Sequence, residues 1–162
     1  MGGVKFVYPY YVYRVNGWTN ILNLLQQSLY AESMVCSMST QLYHIPETKD
    51  LQGNNEMHTH LVPASYHRVT TVGSAQRLVN GEQQQSIVKT LIACIRNAEK
   101  QDQHVREGLK VMEEHANSDI KPFIQAIQWW QQQAEASLQQ AKQLVEAMGV
   151  SLSTEEEATN SY

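Results

Sequence analysis

"SIVKTLIACIRNAEKQDQHVREGLKVMEEH", residues 86–115, repeats its apolar residues at intervals of three and four. Ile87, Val88, Leu91, Cys94, Ile95, Ala98, Val105, Leu109 and Met112 fall on one stripe when placed at 100° per residue. That spacing predicts an amphipathic helix over about 82–115, and a helix with one apolar stripe needs other helices to cover it. The stretch therefore sets the fold class as all-α.

Working outward, the same period appears in three more segments. Trp18, Ile21, Leu22, Leu25, Leu29, Cys36 and Tyr43 share a stripe over about 18–43, which Pro46 ends. A second helix is expected over about 62–80, with Pro63 in its first turn and a stop at Asn80–Gly81. Thr70, Thr71, Val72 and Gly73 make it the poorest helix former of the set. The last segment, about 118–148, starts at Ser118 or Asp119 as N-cap and carries Ile120, Phe123, Ile124, Ile127, Trp130, Ala134, Leu138, Ala141, Val145 and Met148. Residues 45–61, with Gly53 and two Asn, read as a long polar connection. Four such helices, antiparallel with one longer connection, predict a four-helix bundle over 17–149. The tyrosine-rich segment 1–16 is expected as an extended aromatic arm, because Pro9 and β-branched residues favour edge-strand backbone. The acidic segment 150–162 is expected to be disordered.

Bulk composition narrows the function classes. The 162 residues fit one domain, with 12 basic and 16 acidic side chains and a formal net charge of −4. Mild acidity argues against a nucleic-acid surface, which needs clustered Lys and Arg. No apolar run approaches the roughly 20 residues of a membrane span, and no signal peptide is apparent. Two cysteines, Cys36 and Cys94, make no disulfide framework, so the expected location is cytoplasmic. The Gln runs at 83–85 and 131–133 read as solvated helix faces.

Charged residues that interrupt an apolar stripe are the informative ones, since a buried charge needs a partner or a metal. Glu32, Arg68 and Asp102 each fall at the centre of a different stripe, and Glu99 lies one turn before Asp102 near the edge. They are read either as a buried ion-pair network or as carboxylate ligands of iron or manganese. Glu56, His58 and His60 form a second, weaker metal candidate on the connection, with His58 and His60 projecting to one side of an extended chain. His104 and His115 lie on polar faces and read as solvated. Trp129 points away from the stripe that Trp130 joins, which makes it a candidate interface residue.

"LLQQSLYAES" (24–33) and "RNAEKQDQHVREGL" (96–109) resemble helices of the ferritin-like superfamily, which includes ferritins and rubrerythrins. That resemblance implies a four-helix bundle with a Glu on the first helix and Glu-x-x-His pairs on two others, holding a di-iron or di-manganese centre. Glu32 matches the first-helix Glu, but Gln101 stands three residues before His104 where the motif has Glu. No such pair occurs on the second helix, and the last helix offers no ligand. The expected function is thus a non-enzymatic, ferritin-like helical protein with a structural or protein-interaction role, a homodimer without a cofactor. The alternative is a carboxylate-ligated iron or manganese protein.

Overall fold

The computed structural model describes the backbone of residues 2–82 and 85–160, and the side chains of 17–82 and 85–148. Five helices are packed together: α1 (Gly2–Tyr43), α2 (Pro46–Lys49), α3 (Asn54–Val79), α4 (Gln85–His115) and α5 (Lys121–Asn160). Among the described residues there is no strand. The helix α1 contacts α3 and α5, and α4 contacts the same two, while the short α2 leans on α1.

The core is built in two apolar clusters stacked along the helices. One takes Trp18, Ile21 and Leu25 of α1, Ala75 and Leu78 of α3, Leu91, Ile95 and Ala98 of α4, and Leu138, Ala141 and Val145 of α5. The other takes Val35 and Leu42 of α1, Met57 and Leu61 of α3, Val105, Leu109 and Met112 of α4, and Ile124 and Ile127 of α5. On every long helix the residues between these clusters are polar and buried: Ser28 and Glu32, Arg68, Asp102, and Gln131. A polar layer that holds the buried charges therefore divides the two apolar clusters.

Three expectations are corrected. First, residues 54–61 are not an extended connection but the opening of α3, so Pro63 lies inside that helix. Met57, Leu61, Ala64, Arg68, Thr71, Ala75 and Leu78 are all buried and recur at alternating intervals of four and three, a single stripe that continues through the proline. An internal proline costs about 3 kcal/mol, and burying Met57 and Leu61 contributes about 1.5–3 kcal/mol each, so the longer helix wins. Second, α1 extends to Gly2 through the segment expected as an extended arm. A lone extended segment has no strand to pair with, whereas a helix satisfies its own backbone groups; the arm's side chains lie outside the described residues. Third, α5 extends to Asn160 through the segment expected to be disordered, where Glu and Ala are good helix formers. The helix α5 begins at Lys121, later than a Ser118 or Asp119 N-cap would place it, after a turn over 118–120. Asn117 Oδ1 accepts hydrogen bonds from the backbone N–H groups of Asp119 and Ile120, each at 3.0 Å.

Two glycines bring the start of α3 against α4. Gly53 has φ +94°, a left-handed conformation that favours glycine. A Cβ on Gly108 would sit 2.9 Å from Gly53 O and from Met57 N, which are backbone atoms that cannot swing aside. Gly108→Ala is expected to destabilise the protein by about 1–3 kcal/mol through overpacking. Gly73 is the control: it is helical, and a Cβ there meets nothing within 4 Å. Gly73→Ala should stabilise by about 0.5–1 kcal/mol, so urea midpoints of the two variants must move in opposite directions.

Candidate functional site

The polar layer is anchored by Arg68, whose side chain is fully buried on α3. Its Nη1 and Nη2 each donate to Asp102, to Oδ1 and Oδ2 respectively, both at 2.7 Å. This is the bidentate fork that matches a guanidinium to a carboxylate. Arg68 Nε donates to Ser28 Oγ at 2.9 Å, and that hydroxyl donates in turn to Ala134 O at 2.7 Å. Glu32 Oε2 stands 3.5 Å from Arg68 Nη1, and Ser65 Oγ donates to Glu32 Oε1 at 3.4 Å. Gln131 Nε2 closes the layer from α5 by donating to Asp102 Oδ1 at 3.3 Å. Side chains of α1 and α4 thus meet the α3 guanidinium, and α5 joins the layer through Gln131 and the Ala134 carbonyl.

One cation faces two carboxylates here, so full ionisation would leave an excess buried negative charge. The protein resolves it at Glu32. Burial pushes its carboxyl up to about 7, against the pull of Arg68 and with the Asp102 charge adding to the rise. Its Oε2 has no hydrogen-bond partner. Burial lowers the Arg68 pKa, but Glu32 and Asp102 outweigh it and hold the guanidinium above its ordinary value. Just outside the layer, Glu135 pairs with Arg106, and burial, with the Asp102 charge, pushes Glu135 up to about 7.

Of the four core residues expected, the structure brings Glu32, Arg68 and Asp102 together and leaves Glu99 out. Glu99 accepts from Lys142 Nζ at 2.8 Å on the α4–α5 side and is half-buried. It precedes Asp102 by three residues, which turns it about 60° off the stripe and away from α3. Ser28, Ser65, Gln131 and Glu135 are functional partners that the sequence reading missed. The di-iron or di-manganese centre implied by the ferritin-like resemblance does not fit this layer. Both oxygens of Asp102 are taken by Arg68, and the guanidinium sits where a cation would have to lie.

The histidines do not sit as expected either. Because 54–61 is helical, His58 and His60 project about 200° apart and cannot share one ion. His58 packs its ring edge-on against Tyr43, centroids 5.5 Å apart, and burial lowers its pKa. His60 instead faces α4, where its ring stacks on His104 at 4.1 Å and 16°. His60 Nδ1 donates to Gln101 Oε1 at 2.6 Å. Glu56, one turn before His60, places Oε1 3.6 Å from His104 Nδ1. His104 is therefore not simply solvated; it joins Glu56 and His60 across the α3–α4 groove. His115 keeps a local role, its Nδ1 donating to Val111 O at 2.9 Å.

Cys36 and Cys94 are free thiols. Burial raises the pKa of both, and Cys36 Sγ contacts Ser65 Oγ at 3.2 Å, so neither is a poised thiolate. On the α1–α5 face, Trp129 is 51% exposed and Tyr30 is 62% exposed. Trp130 bridges them, with centroids 4.8 Å from Trp129 and 6.0 Å from Tyr30. Among the described residues no helix is long and apolar enough to cross a membrane. No family model, curated protein or solved structure matches the chain.

Proposed function

We propose that this chain is a non-enzymatic, cytoplasmic protein with a structural or protein-interaction role, built as an antiparallel four-helix bundle of ferritin-like type that works as a homodimer. The observation that carries the reading is the Arg68 layer. Arg68 engages both oxygens of Asp102, which leaves that carboxylate no position for a metal ion in this reading. The antiparallel arrangement is supported by the two core clusters: one joins 18–25 of α1 and 87–98 of α4 to 75–78 of α3 and 138–145 of α5, and the other joins 35–42 and 105–112 to 57–61 and 120–127.

In this reading the interaction lies on the surface. The aromatic group Tyr30, Trp129 and Trp130 lines a shallow groove with Asn23, Gln27 and Gln133, a mix of apolar rings and amides typical of interface anchors. A second copy of the chain is its partner in this reading. Light scattering of the full chain should give a dimer, and Trp129→Ala should give a monomer with unchanged helical content. A monomeric wild type, or a variant that stays dimeric, removes this face from the assembly.

A further inference from the structure

We propose that Glu56, His60 and His104 form a surface site for one borderline divalent cation of the zinc type, clamping the start of α3 to α4. One ligand atom from each of the three lies within 4.8 Å of the others. Ligands held 2.0–2.2 Å from a tetrahedral ion are about 3.3 Å apart, so the 3.6 Å between Glu56 Oε1 and His104 Nδ1 needs only a small closure. Glu107 Oε2, 4.0 Å from the same nitrogen, offers a fourth oxygen.

Two further observations point to a ligand. His104 Nδ1 is buried at the atomic level and has no hydrogen-bond partner, although its side chain is half exposed. His60 donates its Nδ1–H to Gln101, which fixes the tautomer and leaves the Nε2 lone pair free. Metal-binding imidazoles are held in this way, with the second ring nitrogen donating to a carbonyl oxygen. The two rings stack nearly parallel, so one of them must turn about its Cβ–Cγ bond before both in-plane lone pairs point at one ion. Two imidazoles with a carboxylate suit zinc and its neighbours better than magnesium or calcium. The spacing behind the site is Glu-x-x-x-His on α3, which puts both groups on one face, with Gln101 and His104 one turn apart on α4.

The test is isothermal titration of Zn²⁺ into the full, untagged chain at about pH 7.5, beside thermal melts with and without zinc. One ion per chain is expected, with a Kd on the order of micromolar. His60→Ala and His104→Ala should each weaken binding about 100-fold, and Gln101→Ala about 10-fold. His58→Ala, on the far face of α3 against Tyr43, should leave it unchanged. Zinc should raise the Tm of the wild type but not of His104→Ala, because the clamp exists only in the folded chain. His104→Gln gives a polar replacement if the alanine variant folds poorly. Saturable binding of one ion, tighter than about 100 μM and lost in both histidine variants, supports the site. Weaker or non-stoichiometric binding, or an equal loss in His58→Ala, overturns it.

Discussion

Arg68→Ala is expected to lower the unfolding free energy by about 3–5 kcal/mol, the largest single-residue loss in this protein. The substitution leaves Asp102 and Glu32 facing each other in a buried layer without their shared cation. It also strips Ser28 Oγ of its guanidinium donor and opens a cavity between the two apolar clusters. A chemical-denaturation curve on the purified variant measures the loss directly. The opposite result is expected when the layer is replaced as a whole. With Arg68→Met, Asp102→Leu and Glu32→Leu combined, stability should return to the wild-type value or exceed it, since well-packed apolar groups avoid the desolvation cost of buried ions. A network of this kind contributes little net stability, and its consequence is register. Only one alignment of the four helices places the guanidinium opposite both carboxylates.

Glu32→Gln should abolish a pH dependence that the wild type carries. The folded pKa of Glu32 is raised to about 7 from an ordinary 4.5. Between those values the unfolded chain has released its proton and the folded chain has kept it, so stability falls as pH rises through that window. The gap corresponds to about 3 kcal/mol, fully present as a penalty above about pH 7 and absent below about pH 4. Glu135 shifts in the same direction, but it is partly exposed and paired with Arg106, so solvent screening reduces its share. In the Glu32→Gln variant the amide is neutral throughout, and that variant should be the more stable protein at about pH 8. Urea midpoints collected from about pH 4.5 to pH 8 check this; parallel profiles for the two proteins would contradict it.

The all-helical class was legible because four segments repeat their apolar residues at the helical period. So were the buried charges, since Glu32, Arg68 and Asp102 stand at stripe centres where no solvated residue belongs. Their partners were harder to see. Ser28 completes the series Leu25, Ser28, Glu32, Val35, and Gln131 completes Ile127, Gln131, Ala134, Leu138, both at intervals of three and four. Neutral polar residues on a stripe attract less notice than charges, and Gln131 was hidden in a run of three Gln. The α3 start was misplaced because Pro63 was given more weight than the Met57–Leu61 pair, although one lost hydrogen bond costs less than two buried side chains stabilise. That error carried over to the histidines. A two-residue extended repeat pairs His58 with His60, whereas a helix pairs Glu56 with His60. The partnership with His104 depends on which face of α4 meets α3, a tertiary fact that no single segment encodes.

Arg68 and Asp102 hold each other at the centre of the core, which denies Asp102 to a metal ion. A double-mutant cycle between Arg68→Met and Asp102→Leu, run in the Glu32→Gln background to remove the third charge, tests it most directly. Each single change strands one buried ion, and the double change strands none. The double variant is expected to be more stable than either single variant, with a coupling of about 2–3 kcal/mol between the sites. Losses that simply add, within about 0.5 kcal/mol, would mean that Arg68 and Asp102 are not partners, and Asp102 would be open to other ligands.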